Sequence, residues 1–268
     1  MDLQKIKLFL MDMDGTVYVG PNPIEGAFEA LETLRQNARK VCFLTNNSSR
    51  SIEQYLHHLT RYGFVASREE MFSSTLATCG YLRHHHEGAR VYAVATDEVR
   101  EEMRREGVNV LDYDPTDPKD YPDVVVVAFD TTLTYQKVYA ACRYIHAGAT
   151  YIATHPDNFC PAVECPMPDL GGFIALIEKT IDKKPDVIVG KPYLPMAEEV
   201  AARFGLAPDE IAMVGDRLYT DIRFAVDHGM CGILVLTGET TKEMLADSPV
   251  KPTLVLDTFA DVLPLLGL

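Results

Sequence analysis

Two aspartates stand two residues apart immediately after the first apolar run of the chain. Asp12 and Asp14 follow Ile6–Met11 and precede Gly15 and Thr16. Successive side chains of an extended strand point to opposite faces, so Asp12 and Asp14 are expected on the same side. Carboxylates that close repel each other unless a cation lies between them or one of them is protonated. A capped turn uses the same residue types, so this motif alone does not decide the function.

A second apolar run ends in a group of hydroxyl and amide side chains, namely Thr45, Asn46, Asn47 and Ser48. Together with free backbone N–H groups at the start of a helix, such side chains can bind a phosphate. The same string also suits an ordinary helix N-cap, so it too is ambiguous by itself.

Two later segments supply a lysine and two more acids. Lys191 follows an apolar run and a glycine, whereas Asp216 ends another run and Asp221 lies about one helical turn beyond it. Asp216 can reach an ion held by the first strand, and Asp221 can orient that ion indirectly. Carboxylates at three points suit Mg²⁺, which prefers oxygen ligands, better than zinc, which favours histidine or cysteine. The lysine and the hydroxyl groups suit a phosphate beside the ion.

The elements between these residues predict the fold class. Short β-branched runs such as Ile6–Met11 and Val124–Ala128 alternate with amphipathic segments such as Ala27–Gln36 almost throughout the chain. This alternation is typical of a doubly wound α/β fold with parallel strands that are covered on both faces. Ligands of such a sheet bind beyond the carboxyl ends of the strands, where all four polar groups are expected.

The spacing of the four groups predicts an inserted domain. About 145 residues separate Thr45 from Lys191, which is more than one compact sheet requires. We expect a catalytic core formed by residues 1–76 and 186–268 and a second α/β domain inserted at 77–185. Within the insertion, residues 108–123 are rich in Asp and Pro and are interpreted as a surface connection.

Composition limits the classes of partner. The chain has 268 residues, of which 47% are hydrophobic and 24% charged, and its net charge is −14. The acidic balance argues against nucleic acid, while a metal and a lysine can still bind a small anion. No apolar run has the roughly 20 residues that span a bilayer, and the first run ends at Asp12 and Asp14 too early for a signal peptide. We therefore expect a cytoplasmic protein with reduced cysteines and no membrane partner, and a homodimer stays open.

The motifs DMDGTVYVG, LTNNSSR, GKP and GDRLYTDI, in this order and spacing, resemble those of the haloacid dehalogenase superfamily. The resemblance covers essentially the whole chain and is closest to the NagD-like phosphatases, the 4-nitrophenylphosphatase and pyridoxal-phosphatase group. It implies a Rossmann-like core with a large α/β cap inserted between the second and third motifs. It also implies Mg²⁺-dependent hydrolysis of small phosphate monoesters, such as sugar phosphates or nucleoside monophosphates, through an aspartyl-phosphate.

The resemblance assigns roles to the core residues. Asp12 matches the nucleophile and a Mg²⁺ ligand, and Asp14 matches the general acid and base, whose carbonyl also binds the metal. Lys191 matches the lysine that neutralises nucleophile and phosphate. Asp216 matches the direct metal ligand of the fourth motif, with Asp221 as its supporting acid.

Two further segments are assigned to the substrate. Thr45 and Asn46 match the phosphate-binding second motif, with Asn47 nearby. In the cap, ATHPDNFCP resembles the loop that closes over the leaving group and supplies the candidate substrate residues His155, Asp157, Asn158 and Cys160. His155 and Asp157 could instead only brace the loop. Cys160 stands where the pyridoxal-phosphatase members carry a histidine, and this departure argues against pyridoxal phosphate.

Two alternatives from other classes stay open at this point. A phospho-accepting receiver domain of signalling proteins also combines an acidic cluster, a threonine and a lysine on a doubly wound sheet. Receivers are about half this length, however, and their phospho-acceptor follows the acidic pair. A catalytically idle metabolite-binding protein is the other alternative, although no motif residue is missing.

Overall fold

The protein was analysed as a computed structural model that describes residues 3–112, 114–162 and 164–268. Tyr113, in the predicted surface connection, and Val163, two residues after the predicted substrate loop, lie outside the described residues. The strands are β1 (Leu8–Met11), β2 (Tyr18–Val19), β3 (Asn22–Pro23), β4 (Lys40–Thr45), β5 (Met71–Ser73), β6 (Arg90–Val94), β7 (Asn109–Val110), β8 (Val124–Val127), β9 (Thr150–Ala153), β10 (Phe159–Cys160), β11 (Met167–Pro168), β12 (Val187–Ile188), β13 (Ile211–Gly215), β14 (Cys231–Val235) and β15 (Leu254–Leu256).

Helices separate most of these strands, as the alternation in the sequence predicts. They are α1 (Ala27–Gln36), α2 (Ile52–Arg61), α3 (Ser74–His85), α4 (Asp97–Arg105), α5 (Tyr135–His146), α6 (Leu170–Ile181), α7 (Leu194–Phe204), α8 (Arg223–Asp227), α9 (Lys242–Asp247) and α10 (Val262–Leu266). A single π-helical turn, Leu218–Ile222, leads into α8. Within the described residues, no helix has both the length and the apolar composition needed to cross a bilayer.

The chain forms two compact units. The first comprises the residues up to Thr45, then Leu56–Phe72 and Lys191–Leu268, and the second comprises Asn46–Tyr55 and Ser73–Gly190. The predicted division placed residues 46–55, 73–76 and 186–190 in the core, whereas these residues belong to the second unit.

The first unit is built on a six-stranded sheet with the order β15-β14-β13-β1-β4-β5. From β15 to β4 each strand runs parallel to its neighbours. All four residues of β1 are buried, and all five residues of β13 and of β14 are buried as well. Uninterrupted burial of this kind is what parallel strands covered by helices on both faces require. The carboxyl ends of β13, β1 and β4 therefore lie side by side at one edge of the sheet.

The second unit has its own parallel sheet, with the order β12-β9-β8-β6-β7. Its central strand β8 is a run of four valines, all of them buried. A hydrophobic cluster around Tyr144 and Tyr151 packs α5 and α6 against this sheet. The fold class, a parallel α/β core sheet and a further α/β domain, is thus confirmed.

Hydrogen bonds explain why the short segment Asn46–Tyr55 belongs to the second unit. The Ser48 hydroxyl accepts a hydrogen bond from the Phe129 backbone N–H at 2.9 Å and shares another with the Thr154 hydroxyl at 2.8 Å. The Ile52 backbone N–H donates to the buried Glu102 carboxylate at 3.0 Å. Sequence patterns do not show such pairings, because the partners lie 50 to 106 residues away along the chain.

Two sequence expectations about elements are wrong. The strand before Lys191 was expected among the strands of the catalytic sheet, but β12 pairs with β9 in the other sheet, with Val187 opposite Ile152. Residues 108–123 are not only a connection, because β7 pairs with β6 at the edge of the second sheet, where Val110 is buried opposite Val91. In β7 the burial of Val110 outweighs the turn-forming residues around it, whereas the position of β12 depends on its pairing with β9.

Candidate active site

Both acids of the first motif follow the end of β1. Asp12 and Asp14 are half-buried, and Met13 between them is buried in the core. The Asp12 backbone N–H donates to the Val214 carbonyl at 2.9 Å, which extends the β1–β13 pairing to the strand end. The acids therefore stand at the carboxyl edge of the sheet, where ligands of such folds bind.

Lys191 is a buried cation held between two carboxylates. Its Nζ atom lies 2.8 Å from Asp12 Oδ1 and 2.7 Å from Asp221 Oδ1, and it donates to the Leu44 carbonyl at 2.9 Å. Burial alone would lower the pKa of Lys191, but Asp12 and Asp221 raise it above its usual value, so the ammonium stays charged. A lysine that is only 1% exposed requires this pairing, because an unpaired buried charge is strongly destabilising.

Asp216 has one carboxylate oxygen bound by the protein and one left over. Its Oδ2 accepts a hydrogen bond from the Glu239 backbone N–H at 2.6 Å. Its Oδ1 is buried and has no hydrogen-bond partner in the protein. Burial, followed by the charges of Asp12 and Asp221, raises the pKa of Asp216 to about 8. An unpartnered carboxylate oxygen beside two other acids is suited to bind a metal ion.

Asp221 differs from Asp216, because both of its carboxylate oxygens accept hydrogen bonds from the protein. Oδ1 accepts from Lys191, and Oδ2 accepts from the Arg217 backbone N–H at 3.2 Å. Burial raises the pKa of Asp221 to about 6, opposed first by the charge of Lys191.

The acidic cluster fits a divalent cation that prefers oxygen. Ligand atoms of Asp12, Asp216 and Asp221 all lie within 4.8 Å of one another. The Lys191 ammonium pairs with Asp12 and Asp221 but not with Asp216, so a cation beside Asp216 would relieve the repulsion among the three carboxylates. The donor set contains neither histidine nor cysteine, which suits Mg²⁺ rather than zinc. Because both Asp221 oxygens have partners, Asp12 and Asp216 are the better candidates for direct ligands.

The predicted phosphate-binding residues are divided between the two units. Thr45 ends β4 beside β1 and is buried in the first unit. Asn46 and Asn47 belong to the second unit, where the Asn46 amide donates to both oxygens of Asp157 at 3.2 Å and the Asn47 amide donates to the Cys160 sulfur at 3.6 Å.

The sequence left open whether His155 contacts the substrate or supports the loop, and its surroundings in the structure suit a supporting role. Its ring is completely buried, with Nδ1 3.7 Å from Asp157 and Nε2 3.6 Å from Asp169. Asp169 in turn begins α6 as its N-cap and accepts from the Leu170 N–H at 2.6 Å. A contact between His155 and a substrate stays a prediction, and the structure favours the structural role.

Two other residues of the predicted substrate loop are exposed to solvent. Asn158 is exposed, Phe159 is 38% exposed and Cys160 is half-buried. Strands β10 and β11 form an antiparallel hairpin, with Cys160 opposite Met167. This hairpin therefore presents both a polar and an aromatic side chain to solvent.

Sequence reasoning missed a further segment of the site, Thr237–Thr240, which follows β14. The Thr237 hydroxyl donates to the Gly15 carbonyl at 2.6 Å, and the Thr240 N–H donates to the Asp216 carbonyl at 3.2 Å. The segment has the same signature as the other motifs, since it places a glycine and polar residues directly after a buried strand.

Comparisons with known proteins agree with this geometry. Residues 9–109 match the family model of haloacid dehalogenase-like hydrolases, and residues 188–262 match the model described as HAD-hydrolase-like. The 5′-nucleotidase YutF of Bacillus subtilis is 31% identical, with 98% of this chain and 99% of the relative covered. The sugar-phosphatase AraL of the same organism is 32% identical over 94% of this chain and 90% of the relative.

Solved structures give the same result. The 4-nitrophenylphosphatase from Thermotoga maritima matches with a TM-score of 0.92 and 36% identity over 99% of both chains. NagD from E. coli K-12 matches with a TM-score of 0.86 and 26% identity over 96% of this chain and 98% of that one. These matches span nearly the full length of each relative, and AraL and the Thermotoga maritima protein are named as phosphatases. The chain belongs to the haloacid dehalogenase-like hydrolases and is a phosphatase of the NagD and 4-nitrophenylphosphatase type.

Proposed function

We propose that the protein is a Mg²⁺-dependent phosphatase that hydrolyses small-molecule phosphate monoesters through an aspartyl-phosphate on Asp12. The observation that carries this proposal is the buried Lys191 ammonium, which bridges Asp12 and Asp221 beside the unpartnered oxygen of Asp216. Together these groups provide a nucleophile, a cation for the phosphate oxygens and a ligand for a metal.

In the first step, a carboxylate oxygen of Asp12 attacks the phosphorus of the bound ester. A new oxygen–phosphorus bond forms while the bond from phosphorus to the leaving oxygen breaks. Asp14 donates its proton to that oxygen, so the alcohol leaves uncharged. Lys191 offsets the negative charge of both the nucleophile and the phosphoryl oxygens.

In the second step, Asp14 acts as a base. It takes a proton from a water molecule, whose oxygen attacks the phosphorus of the aspartyl-phosphate. The bond between Asp12 and phosphorus breaks, inorganic phosphate leaves, and both carboxyl groups return to their starting states. Covalent catalysis of this kind divides one difficult displacement into two easier ones.

A Mg²⁺ ion would be held by Asp12, Asp216 and the Asp14 backbone carbonyl, with Asp221 as a support that also fixes Lys191. When bound, the ion would supply positive charge to the phosphoryl group and hold it in position for displacement. The protein would contribute Thr45, Asn46 and Asn47 as further phosphate ligands.

We also propose that the second unit is the cap and selects the leaving group. The exposed Asn158 and Phe159 on its hairpin support this proposal, because they are available to a substrate while the buried His155 is not. Relatives named as a 5′-nucleotidase and a sugar-phosphatase indicate nucleoside monophosphates and sugar phosphates as the first compounds to examine. The six cysteines form no disulfide among the described residues, which supports the proposal of a reducing, cytoplasmic environment.

The decisive experiment is metal removal and return. EDTA should abolish hydrolysis of p-nitrophenyl phosphate, Mg²⁺ should restore it, and Ca²⁺ should inhibit because its larger, looser coordination misplaces the nucleophile. Asp216→Asn should shift the Mg²⁺ requirement upward, whereas Asp247→Asn, a change at an exposed residue of α9, should not. Full activity in EDTA, or restoration by zinc alone, would contradict the proposal.

A panel of phosphorylated metabolites assayed with Mg²⁺ would then identify the substrate class. Sugar phosphates, nucleoside monophosphates and glycerol phosphates should all be included, since the core chemistry accepts any monoester. Lack of activity on every phosphate ester would instead favour the idle binding protein.

A further inference from the structure

The backbone of the segment Thr237–Thr240 holds the Asp216 carboxylate from one side. The Glu239 N–H donates to Asp216 Oδ2 at 2.6 Å, and the Thr240 N–H donates to the Asp216 backbone carbonyl at 3.2 Å. The Thr237 hydroxyl fastens the same segment to the first motif through the Gly15 carbonyl at 2.6 Å. The segment thereby connects the ends of β1, β13 and β14.

Gly238 makes this approach possible because it has no side chain. A Cβ atom added to Gly238 would lie 2.0 Å from Asp216 Oδ2 and 2.4 Å from Asp216 Cγ. A Cβ atom and a carboxylate atom that are not bonded to each other are normally at least about 3.5 Å apart. The carboxylate or the segment would therefore have to move by more than an ångström. The φ angle of Gly238 is not in the left-handed region, so the glycine is required here for space alone.

A glycine of the first motif comes close to the same carboxylate. A Cβ atom on Gly15 would lie 2.4 Å from Asp216 Oδ2, and the φ of Gly15 is +85°. Two glycines and one backbone N–H therefore converge on Oδ2, whereas Oδ1 is buried without a partner. This asymmetry fixes which oxygen of Asp216 is available to an ion.

The side chain of Glu239 anchors the segment to the fourth motif. Its Oε2 atom lies 3.1 Å from Arg217 Nε and accepts a hydrogen bond from the Tyr219 hydroxyl at 3.1 Å. Arg217 directly follows Asp216. The ion pair therefore joins the residue that donates to the Asp216 carboxylate, Glu239, to the residue next to Asp216 in the chain. A half-buried ion pair of this kind restricts motion of the segment.

We propose that Thr237–Thr240 is a positioning segment of the metal site, in which Gly238 lets the backbone hold Asp216 Oδ2 so that Oδ1 faces the ion. The inference rests on the proposed Mg²⁺-dependent function and adds residues that bind neither ion nor substrate directly. Asp216 itself would supply the ligand, while the segment would set which of its oxygens faces the ion.

The test measures Mg²⁺ binding to the whole protein by calorimetry and by the rise in Tm on titration. Gly238→Ala should weaken Mg²⁺ binding at least tenfold. The matched control is Gly172→Ala in α6, where an added Cβ meets nothing within 4 Å, and it should leave binding unchanged. Thr237→Val, which keeps the shape but removes the hydroxyl donor to Gly15, should weaken binding at least threefold.

The outcomes are distinguishable. Unchanged Mg²⁺ binding in Gly238→Ala, with a wild-type protein that does bind, would overturn the positioning role and leave the proposed function intact. If Gly238→Ala does not fold, Thr237→Val decides, and wild-type affinity there would overturn the proposal. No Mg²⁺ binding by the wild-type protein would contradict both. A purely structural role would lower Tm without changing the Mg²⁺ dissociation constant of the folded protein.

Discussion

The side-chain amide of Asn46 donates hydrogen bonds to both carboxylate oxygens of Asp157, each at 3.2 Å. Asn46 follows the strand that ends in Thr45, while Asp157 lies in the loop before the β10–β11 hairpin. The contact therefore fixes the orientation of an amide that the second motif is proposed to use for phosphate. It also gives a loop of the second unit a direct influence on that motif.

Removing Asp157 should have the same effect as removing Asn46. Asp157→Ala and Asn46→Ala should each lower kcat/KM for p-nitrophenyl phosphate about tenfold, equivalent to about 1.4 kcal/mol. Because one residue acts through the other, kcat/KM of the double variant should be no lower than that of the less active single variant. Steady-state kinetics of the four proteins measure this, with the exposed Asp120→Ala as control. Multiplicative losses in the double variant would mean that the two residues act independently.

Replacing the nucleophile should abolish turnover without unfolding the protein. Asp12→Asn keeps the size of the side chain but removes the charge that attacks phosphorus. Hydrolysis of p-nitrophenyl phosphate should become undetectable while circular dichroism shows a folded chain. If even a tenth of the wild-type rate survived, Asp12 would not be the nucleophile.

The raised pKa of Asp216 predicts how the metal-free protein responds to pH. The pKa is 3.8 in an unperturbed aspartate and about 8 in the fold, so the folded state binds this proton more tightly. That contribution to stability is complete at pH values below 3.8 and is lost as the pH rises through about 8.

Asp216→Asn, which is neutral at every pH, should therefore raise the Tm of the metal-free protein by about 3 °C or more at pH 8.5. At pH 5, where the folded wild type keeps the proton on Asp216, the two proteins should differ much less. Thermal denaturation in EDTA at both pH values measures the difference. An equal effect at pH 5 and pH 8.5 would show that Asp216 does not titrate in this range.

The exposed hairpin should determine discrimination between substrates. Substituting Asn158, Phe159 and Cys160 should change relative kcat/KM among phosphorylated metabolites more than tenfold, about 1.4 kcal/mol. Hydrolysis of the small, activated p-nitrophenyl phosphate should change much less, because it needs little from the leaving-group side. The exposed Leu176→Ala in α6 serves as control. A parallel loss on both kinds of substrate would make the hairpin a general closure element.

The hydroxyl of Ser48 should contribute to stability rather than chemistry. Ser48→Ala leaves the buried Phe129 N–H without its acceptor, which should cost about 1–3 kcal/mol in the free energy of unfolding. Urea denaturation measures this loss. The exposed Thr180→Ala, which removes a hydroxyl bonded within α6, should cost much less. A neutral Ser48→Ala would mean that the N–H finds another partner.

The fold class could be predicted because strand and helix periodicities are local properties. The segments Val124–Ala128 and Ala27–Gln36 became β8 and α1 with at most one residue of difference. The short strand before Lys191 was placed in the wrong sheet, because which strands pair depends on contacts that distant residues make. The core residues that stood out follow apolar runs and carry charges, amides or a hydroxyl, namely Asp12, Asp14, Thr45, Asn46, Asn47, Lys191, Asp216 and Asp221.

The segment after β14 was missed for a different reason. A glycine and polar residues follow β14 as they follow the other strands. The contacts that bring this segment to Asp216 are the Glu239 backbone N–H and the close approach of Gly238, and these depend on backbone position rather than on residue type. The bond between Asn46 and Asp157 was equally invisible, because 111 residues separate the partners along the chain. Long-range hydrogen bonds and close backbone contacts are what the sequence alone does not show.

The second unit is assembled from two stretches of chain, a short one at 46–55 and a long one at 73–190. Recombination that exchanges only the long stretch between relatives would therefore separate Ser48 from its partners Phe129 and Thr154 and Asn46 from Asp157. Chimeras that carry both stretches from one parent should fold and inherit that parent's preference among phosphate esters. If the second unit selects the substrate as proposed, the part exchanged between relatives has to be both segments together, and the ten residues 46–55 lie within the second motif and its following helix.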